Sequence, residues 1–226
     1  MGYRREPFEV GEWYHCYNRG IDKRSVFGSE FDSDRFLQSL YLCNNADAVG
    51  RSDFDHYKHA RIFQIERLEP LVAIGAYSLM PNHFHLLLQE ITDGGISRFM
   101  HKLGTSYTMY FNEKNIRVGN LFYKPFRSRR VSRELHFRHL PHYIHLNPIE
   151  LFEPGWKKGV TKKQLRDIER ELSEYRFSSY MDYRGGKRPE GAILAPAVRE
   201  LFMEELADTM SVLADAKGYH ASLELT

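Results

Sequence analysis

The residues best placed to do chemistry are two histidines, one tyrosine and one asparagine. His83-Phe84-His85 is the centre. On a strand, successive side chains point to opposite faces, so His83 and His85 share one face while Phe84 enters the other, followed by Leu86 and Leu88. Two imidazoles on one pleated face can bind a single cation, and imidazole serves Mn²⁺ and other transition metals well. A His-x-His pair also occurs as surface or core histidines. The Met80-Pro81-Asn82 turn before the pair and the apolar opposite face favour the metal reading.

The second element is Leu140-Pro141-His142-Tyr143-Ile144-His145-Leu146-Asn147-Pro148. Tyr143 and Asn147 are four apart, so on a helix they lie on one face, one turn apart. Asn147 could then reach a metal through its amide oxygen while Tyr143 addresses a phosphate on the same ion. Spacing alone does not single out Tyr143 among 14 tyrosines, and a packing role fits it equally. His145, two residues on, points elsewhere and reads as structural or as a DNA contact.

Charge is unevenly spread. The net charge is +2 over 226 residues, yet the segment from Glu190 onward carries seven acidic residues against Arg199 and Lys217. Between Asn115 and His139 lie Arg117, Lys124, Arg127, Arg129, Arg130, Arg133 and Arg138 against Glu134 alone. Such a local excess suits a surface that meets phosphates. A solvated basic strand face is the plain alternative. Phe122, Tyr123 and Phe126 interleave with these charges and could stack on bases or simply pack.

The elements that must position these residues follow from pattern. Residues 12–19, rich in aromatics, read as a first strand closed by Gly20. Phe31 to Ala48 has helical spacing, and Leu71 to Leu79 is a buried strand. His83 to Gln89 is the returning strand, and Gly95 to Asn115 an amphipathic helix. Leu121 to Val131 is a basic strand whose Pro125 argues for a sheet edge. The order is β-α-β-β-α-β, the split ferredoxin-like pattern: an α+β fold with an antiparallel sheet and added C-terminal helices. A helix from Ser132 to Asn147 follows, with Pro141 expected to bend it or to start a new helix. Further helices are expected at Lys162–Ser173 and from Pro196 to Ala216, stopped by Gly218. The stripe of Val198, Leu201, Phe202, Leu206, Met210 and Leu213 must bury itself against the domain or a second subunit.

These expectations divide the chain into a catalytic domain over 1–150, a charged helix and aromatic clasp over 151–189, and an acidic helical appendage over 190–226. No apolar run approaches the roughly 20 residues of a membrane-spanning helix, and the N-terminus lacks a signal-peptide core. Cys16 and Cys43 lack C-x-x-C spacing and read as reduced thiols. A cytoplasmic protein is expected.

Five stretches together resemble the single-tyrosine HUH transposases of insertion sequences and of repetitive extragenic palindromes (REP). They are Tyr14-His15-Cys16-Tyr17-Asn18-Arg19-Gly20, Met80-Pro81-Asn82-His83-Phe84-His85-Leu86-Leu87-Leu88, Phe126-Arg127-Ser128, Tyr143-Ile144-His145-Leu146-Asn147-Pro148 and Tyr175-Arg176-Phe177-Ser178-Ser179-Tyr180. They span about residues 10–183 in the family's order. The resemblance implies a metal held by His83, His85 and Asn147, with Mg²⁺ or Mn²⁺ as cofactor, and Tyr143 as nucleophile. It implies cleavage and rejoining of single-stranded DNA at or near hairpins through a 5′-phosphotyrosyl link. Asn18, Arg19, Lys124, Arg127, Arg129, Arg130 and Arg133 are then the candidate DNA contacts. Monomer and homodimer both stay open, and no membrane partner is implied. Two departures stand out: residues 149–174 are longer and more charged than the usual link, and the acidic segment after 190 has no counterpart. A non-catalytic palindrome-binding module and a metal-dependent nuclease that activates water are the rival readings.

Overall fold

A computed structural model describes residues 7–47, 56–131, 134–206 and 209–214. The strands are β1 (Trp13–Arg19), β2 (Val72–Met80), β3 (His83–Glu90) and β4 (Arg127–Arg130). The helices are α1 (Glu30–Leu42), α2 (His59–Ile62), α3 (Gly95–Lys114), α4 (Glu134–Leu146), α5 (Ile149–Phe152), α6 (Lys162–Glu174), α7 (Tyr180–Tyr183), α8 (Pro196–Leu206) and α9 (Thr209–Ala214).

The sheet is ordered β2-β3-β1-β4, and every pairing is antiparallel. This is the ferredoxin-like order reached through β-α-β-β-α-β, with helices added behind it, as the sequence pattern predicts. The Pro81-Asn82 turn brings β3 back along β2, placing His83 opposite Met80 and His85 opposite Ser78.

Local chemistry sets the helix starts. Ser29 caps α1 by accepting from the Asp32 amide. The buried Glu90 carboxylate accepts from the Ile96 amide at 2.7 Å, so the end of β3 neutralises the positive end of α3. Thr161 and Gln164 form a capping box at α6.

The sheet divides its side chains cleanly. Phe84, Leu86 and Leu88 point to the face covered by α1 and α3, where Phe84 meets Phe36 at 4.9 Å and Phe122 at 5.5 Å between ring centroids. α4 and α8 lie on the other face. Phe202 of α8 packs edge-on against Trp13 and close to Gly75, where a Cβ would stand 3.2 Å from the Phe202 ring. The stripe of α8 therefore buries against the domain itself, Val198 and Phe202 inward and Leu201 exposed. A second small core joins Leu146 and Ile149 to Trp156, Ile168, Leu172, Tyr180 and Leu213.

Two expectations need correction. The basic strand is regular only over Arg127–Arg130; before it, Phe122 makes a single bridge to Gly20, because Pro125 has no amide hydrogen to continue a ladder. Its edge position is as expected. Pro141 starts no new helix but lies inside α4. Burial of Leu140 and Ile144 against the sheet holds the helix despite the missing hydrogen bond. The expected C-terminal helix is described over α8 and α9; residues 207–208 and the expected stop at Gly218 lie outside the described residues.

Candidate active site

The site grows out of the register between β1 and β3. Tyr17 stands opposite His85, His15 opposite Leu87 and Arg19 opposite His83, so all these side chains leave the sheet on the face that α4 partly covers. The His83 and His85 ring centroids are 5.1 Å apart and nearly perpendicular. Tyr143 descends from α4 to meet them: its ring lies 5.8 Å from His85, at an interplanar angle of 89°, and 5.8 Å from His15. Tyr17 stacks on His85 at 5.7 Å.

The donors suit a cation. Asn82 Oδ1 lies 2.6 Å from His83 Nδ1. A carbonyl oxygen only accepts, so the His83 proton sits on Nδ1 and Nε2 keeps its lone pair. Asn147 Nδ2 donates to the Tyr143 carbonyl at 2.8 Å, one turn back, which leaves Oδ1 as the coordinating atom of that amide. Neutral imidazoles and an amide oxygen are donors of the kind a borderline divalent ion such as Mn²⁺ accepts.

Electrostatics keep the ligands neutral. Burial, reinforced by Arg19 and Lys157, pushes His83 down to about 4. His85 is pushed well below the usual range by burial, with His15 and His83 adding. Burial raises the Tyr143 phenol, offset in part by the Asn147 amide.

The expected DNA contacts do not all fall together. Arg127 pairs with Tyr17 and Arg129 with His15, so both lie on the site face, exposed. Arg19 is exposed at the His83 end of β1. Lys124 is exposed in the irregular segment before β4. Asn18 is on the opposite face; its Nδ2 donates to the Tyr123 carbonyl at 3.0 Å. Arg130 also points away from the site and pairs with Glu9 and Glu12. Arg133 lies outside the described residues.

His15, Tyr17, Asn82 and Lys157 were not among the expected site residues. The quoted motifs contain the first three. Lys157 comes from the unusual 149–174 segment, where only its charge was legible. His145 is fully buried, 2.7 Å from Ser179 Oγ, and makes no surface for DNA.

Among the described residues, Asp34, His59 and Glu190 form one further group whose donor atoms lie within 4.8 Å of one another. Its members are already engaged. His59 meets Gln38 through Nδ1 and Glu190 through Nε2, and Asp34 pairs with Arg176.

Residues 56–147, from the approach to β2 through α4 to Asn147, match the family model described as "Transposase IS200 like". Over that stretch the chain is similar to the IS200-like transposases, and the match agrees with the resemblance seen in the motifs. Among solved structures, one described as "Structure of the REP associates tyrosine transposase bound to a REP hairpin" aligns with a TM-score of 0.50 at 17% identity. The alignment covers 84% of this chain and 90% of that one, and it supports the fold. No curated protein matches the chain.

Proposed function

We propose that this transposase cleaves and rejoins single-stranded DNA at or near hairpins, with Tyr143 as nucleophile. The observation that carries the reading is the convergence of His83, His85 and Tyr143 on one sheet face, with the Tyr143 ring 5.8 Å from His85. Arg127 and Arg129 extend that face toward solvent. The solved relative's REP hairpin supports a structured single strand as substrate.

Phosphodiester cleavage needs charge neutralisation at the non-bridging oxygens and a nucleophile aligned opposite the leaving oxygen. A divalent ion, Mg²⁺ or Mn²⁺, held by His83, His85 and Asn147, would supply Lewis-acid neutralisation there. Tyr143 Oη forms a bond to phosphorus as the bond to the 3′ oxygen breaks. The phenolic proton is lost and the leaving oxygen gains one, giving a 5′-phosphotyrosyl link and a free 3′-hydroxyl. A second 3′-hydroxyl attacking that link restores the phosphodiester and the phenol. Arg19, Arg127 and Arg129, together with Lys124 and Arg133, follow the backbone of the substrate. Asn18 and Arg130, expected among these contacts, leave the sheet on the opposite face and stand outside that surface. In this organisation residues 1–150 form the catalytic domain, 151–189 brace it and 190–226 are an appendage. The protein would work in the cytoplasm on the nucleoid, as a monomer or a homodimer.

The test is incubation with end-labelled hairpin DNA from the gene's own flanks, with Mn²⁺ or Mg²⁺, on denaturing gels. A covalent adduct lost in Tyr143→Phe and in His83→Ala is expected. Cleavage without an adduct that survives Tyr143→Phe would instead mean a nuclease activating water. Tight binding without cleavage would mean a palindrome-binding module.

A further inference from the structure

His15 Nε2 and His85 Nδ1 lie 2.8 Å apart, with ring centroids at 5.0 Å and planes inclined by only 22°. A hydrogen bond between two neutral imidazoles has one N–H and one lone pair, so only two arrangements exist.

If His15 donates from Nε2, His85 accepts at Nδ1 and carries its own proton on Nε2, which disables that nitrogen as a ligand. If His85 donates from Nδ1, its Nε2 keeps a lone pair on the ring edge away from His15. His83, held by Asn82 Oδ1, is already in the equivalent form. Neither His15 Nδ1 nor His85 Nε2 is among the buried polar atoms left without a partner, so neither arrangement strands a proton, and the choice between them rests on the need for a free lone pair on His85 Nε2.

We propose that His15 is the positioning residue of the site, accepting from His85 Nδ1 so that both histidines of β3 present Nε2 to one cation. His15 also lies edge-on to Tyr143 at 5.8 Å, so one side chain braces both the ligand and the helix that carries the nucleophile. Partners of this kind fix tautomer and ring direction, and losing them weakens metal affinity about 10- to 100-fold. The proposal rests on the metal reading above.

The experiment measures Mn²⁺ affinity of the DNA-free protein by titration, with no dependence on turnover. His15→Phe, which fills the space without accepting, is expected to weaken binding by roughly 10- to 100-fold. His15→Gln, whose Oε1 can accept near the place of Nε2, is expected to stay within several-fold of wild type. His83→Ala is the control. If His83→Ala abolishes binding while His15→Phe leaves it unchanged, the role of His15 is overturned and the metal site stands. If His83→Ala and His85→Ala both bind as wild type, the metal reading itself fails. Equal loss in His15→Phe and His15→Gln overturns the acceptor role. Nitrogen-15 NMR of the wild-type rings needs no variant: His85 protonated at Nδ1 without metal is expected, and protonation at Nε2 overturns the proposal.

Discussion

His145 makes the seat of the tyrosine helix sensitive to acid. It lies on α4 two residues beyond Tyr143, fully buried, with Nε2 2.7 Å from Ser179 Oγ. Its ring packs 5.5 Å from Tyr183 and 5.9 Å from Tyr180. Nδ1 is buried with no hydrogen-bond partner among the described residues, so a second ring proton would have nothing to receive it. Burial pushes the imidazole down to about 3, with His142 and Arg188 adding. The unfolded chain protonates the same ring near 6.5. Between those values the unfolded state binds a proton that the folded state refuses, so stability falls as pH falls. The contribution is complete above about pH 6.5 and is lost progressively toward pH 3. At pH 5 the gap is about 1.5 units at about 1.4 kcal/mol each, or roughly 2 kcal/mol. That is a large share of the ~5–15 kcal/mol that holds a domain folded. Urea denaturation of wild type and His145→Gln at pH 7 and pH 5 isolates it, because the glutamine amide can still reach Ser179 but does not titrate. Other histidines contribute equally to both proteins and cancel. Wild type should lose about 2 kcal/mol more than the variant between the two pH values. Equal losses in the two proteins would refute the account.

Three further outcomes are expected. Arg188→Met leaves the fully buried Asp182 carboxylate without its bidentate partner and the Tyr77 hydroxyl without its donor. Urea denaturation should show a loss of about 3–5 kcal/mol. Arg127→Ala and Arg129→Ala should each lower the salt dependence of hairpin binding by about one phosphate contact, read from the slope of log K against log salt. Arg130→Ala should change that slope least, since its guanidinium faces away and pairs with Glu9 and Glu12. Asn147→Ala should weaken Mn²⁺ binding in the DNA-free protein, by loss of the one amide oxygen in the donor set, with little change in melting temperature.

Much of this was legible because it depends on short-range periodicity. The alternation His83-Phe84-His85-Leu86 assigns faces whatever the rest of the chain does, and the Pro81-Asn82 turn announces the returning strand. Tyr143 and Asn147 sit one turn apart for the same reason. What was not legible depends on pairing across long separations. His15 is a lone histidine in an aromatic strand until the antiparallel register sets Tyr17 against His85 and turns both rings to one face. Lys157 lies in a segment whose family counterpart is shorter, so only the fold shows that its charge bears on His83. Pro141 starts no new helix, since that local penalty is set against the burial of Leu140 and Ile144, which is decided by the sheet beneath.

The unequal covering of the sheet joins fold to function. α1 and α3 close the face lined by Phe84, Leu86 and Leu88, and that face has no chemistry left to offer. On the other face α4 and α8 pack over β2 and β3, while Arg127 and Arg129 of β4 remain exposed. An edge strand with unpaired backbone groups invites pairing with another chain, and charged side chains oppose that pairing. The same arginines that protect the edge also line a path into the histidine face. Tyr143 stands where covered and open halves meet: half-buried, its phenol pushed up by desolvation, with guanidinium groups on the solvent side. On the proposed function, a nucleophile placed there would stay protonated until a phosphate entered along the arginines.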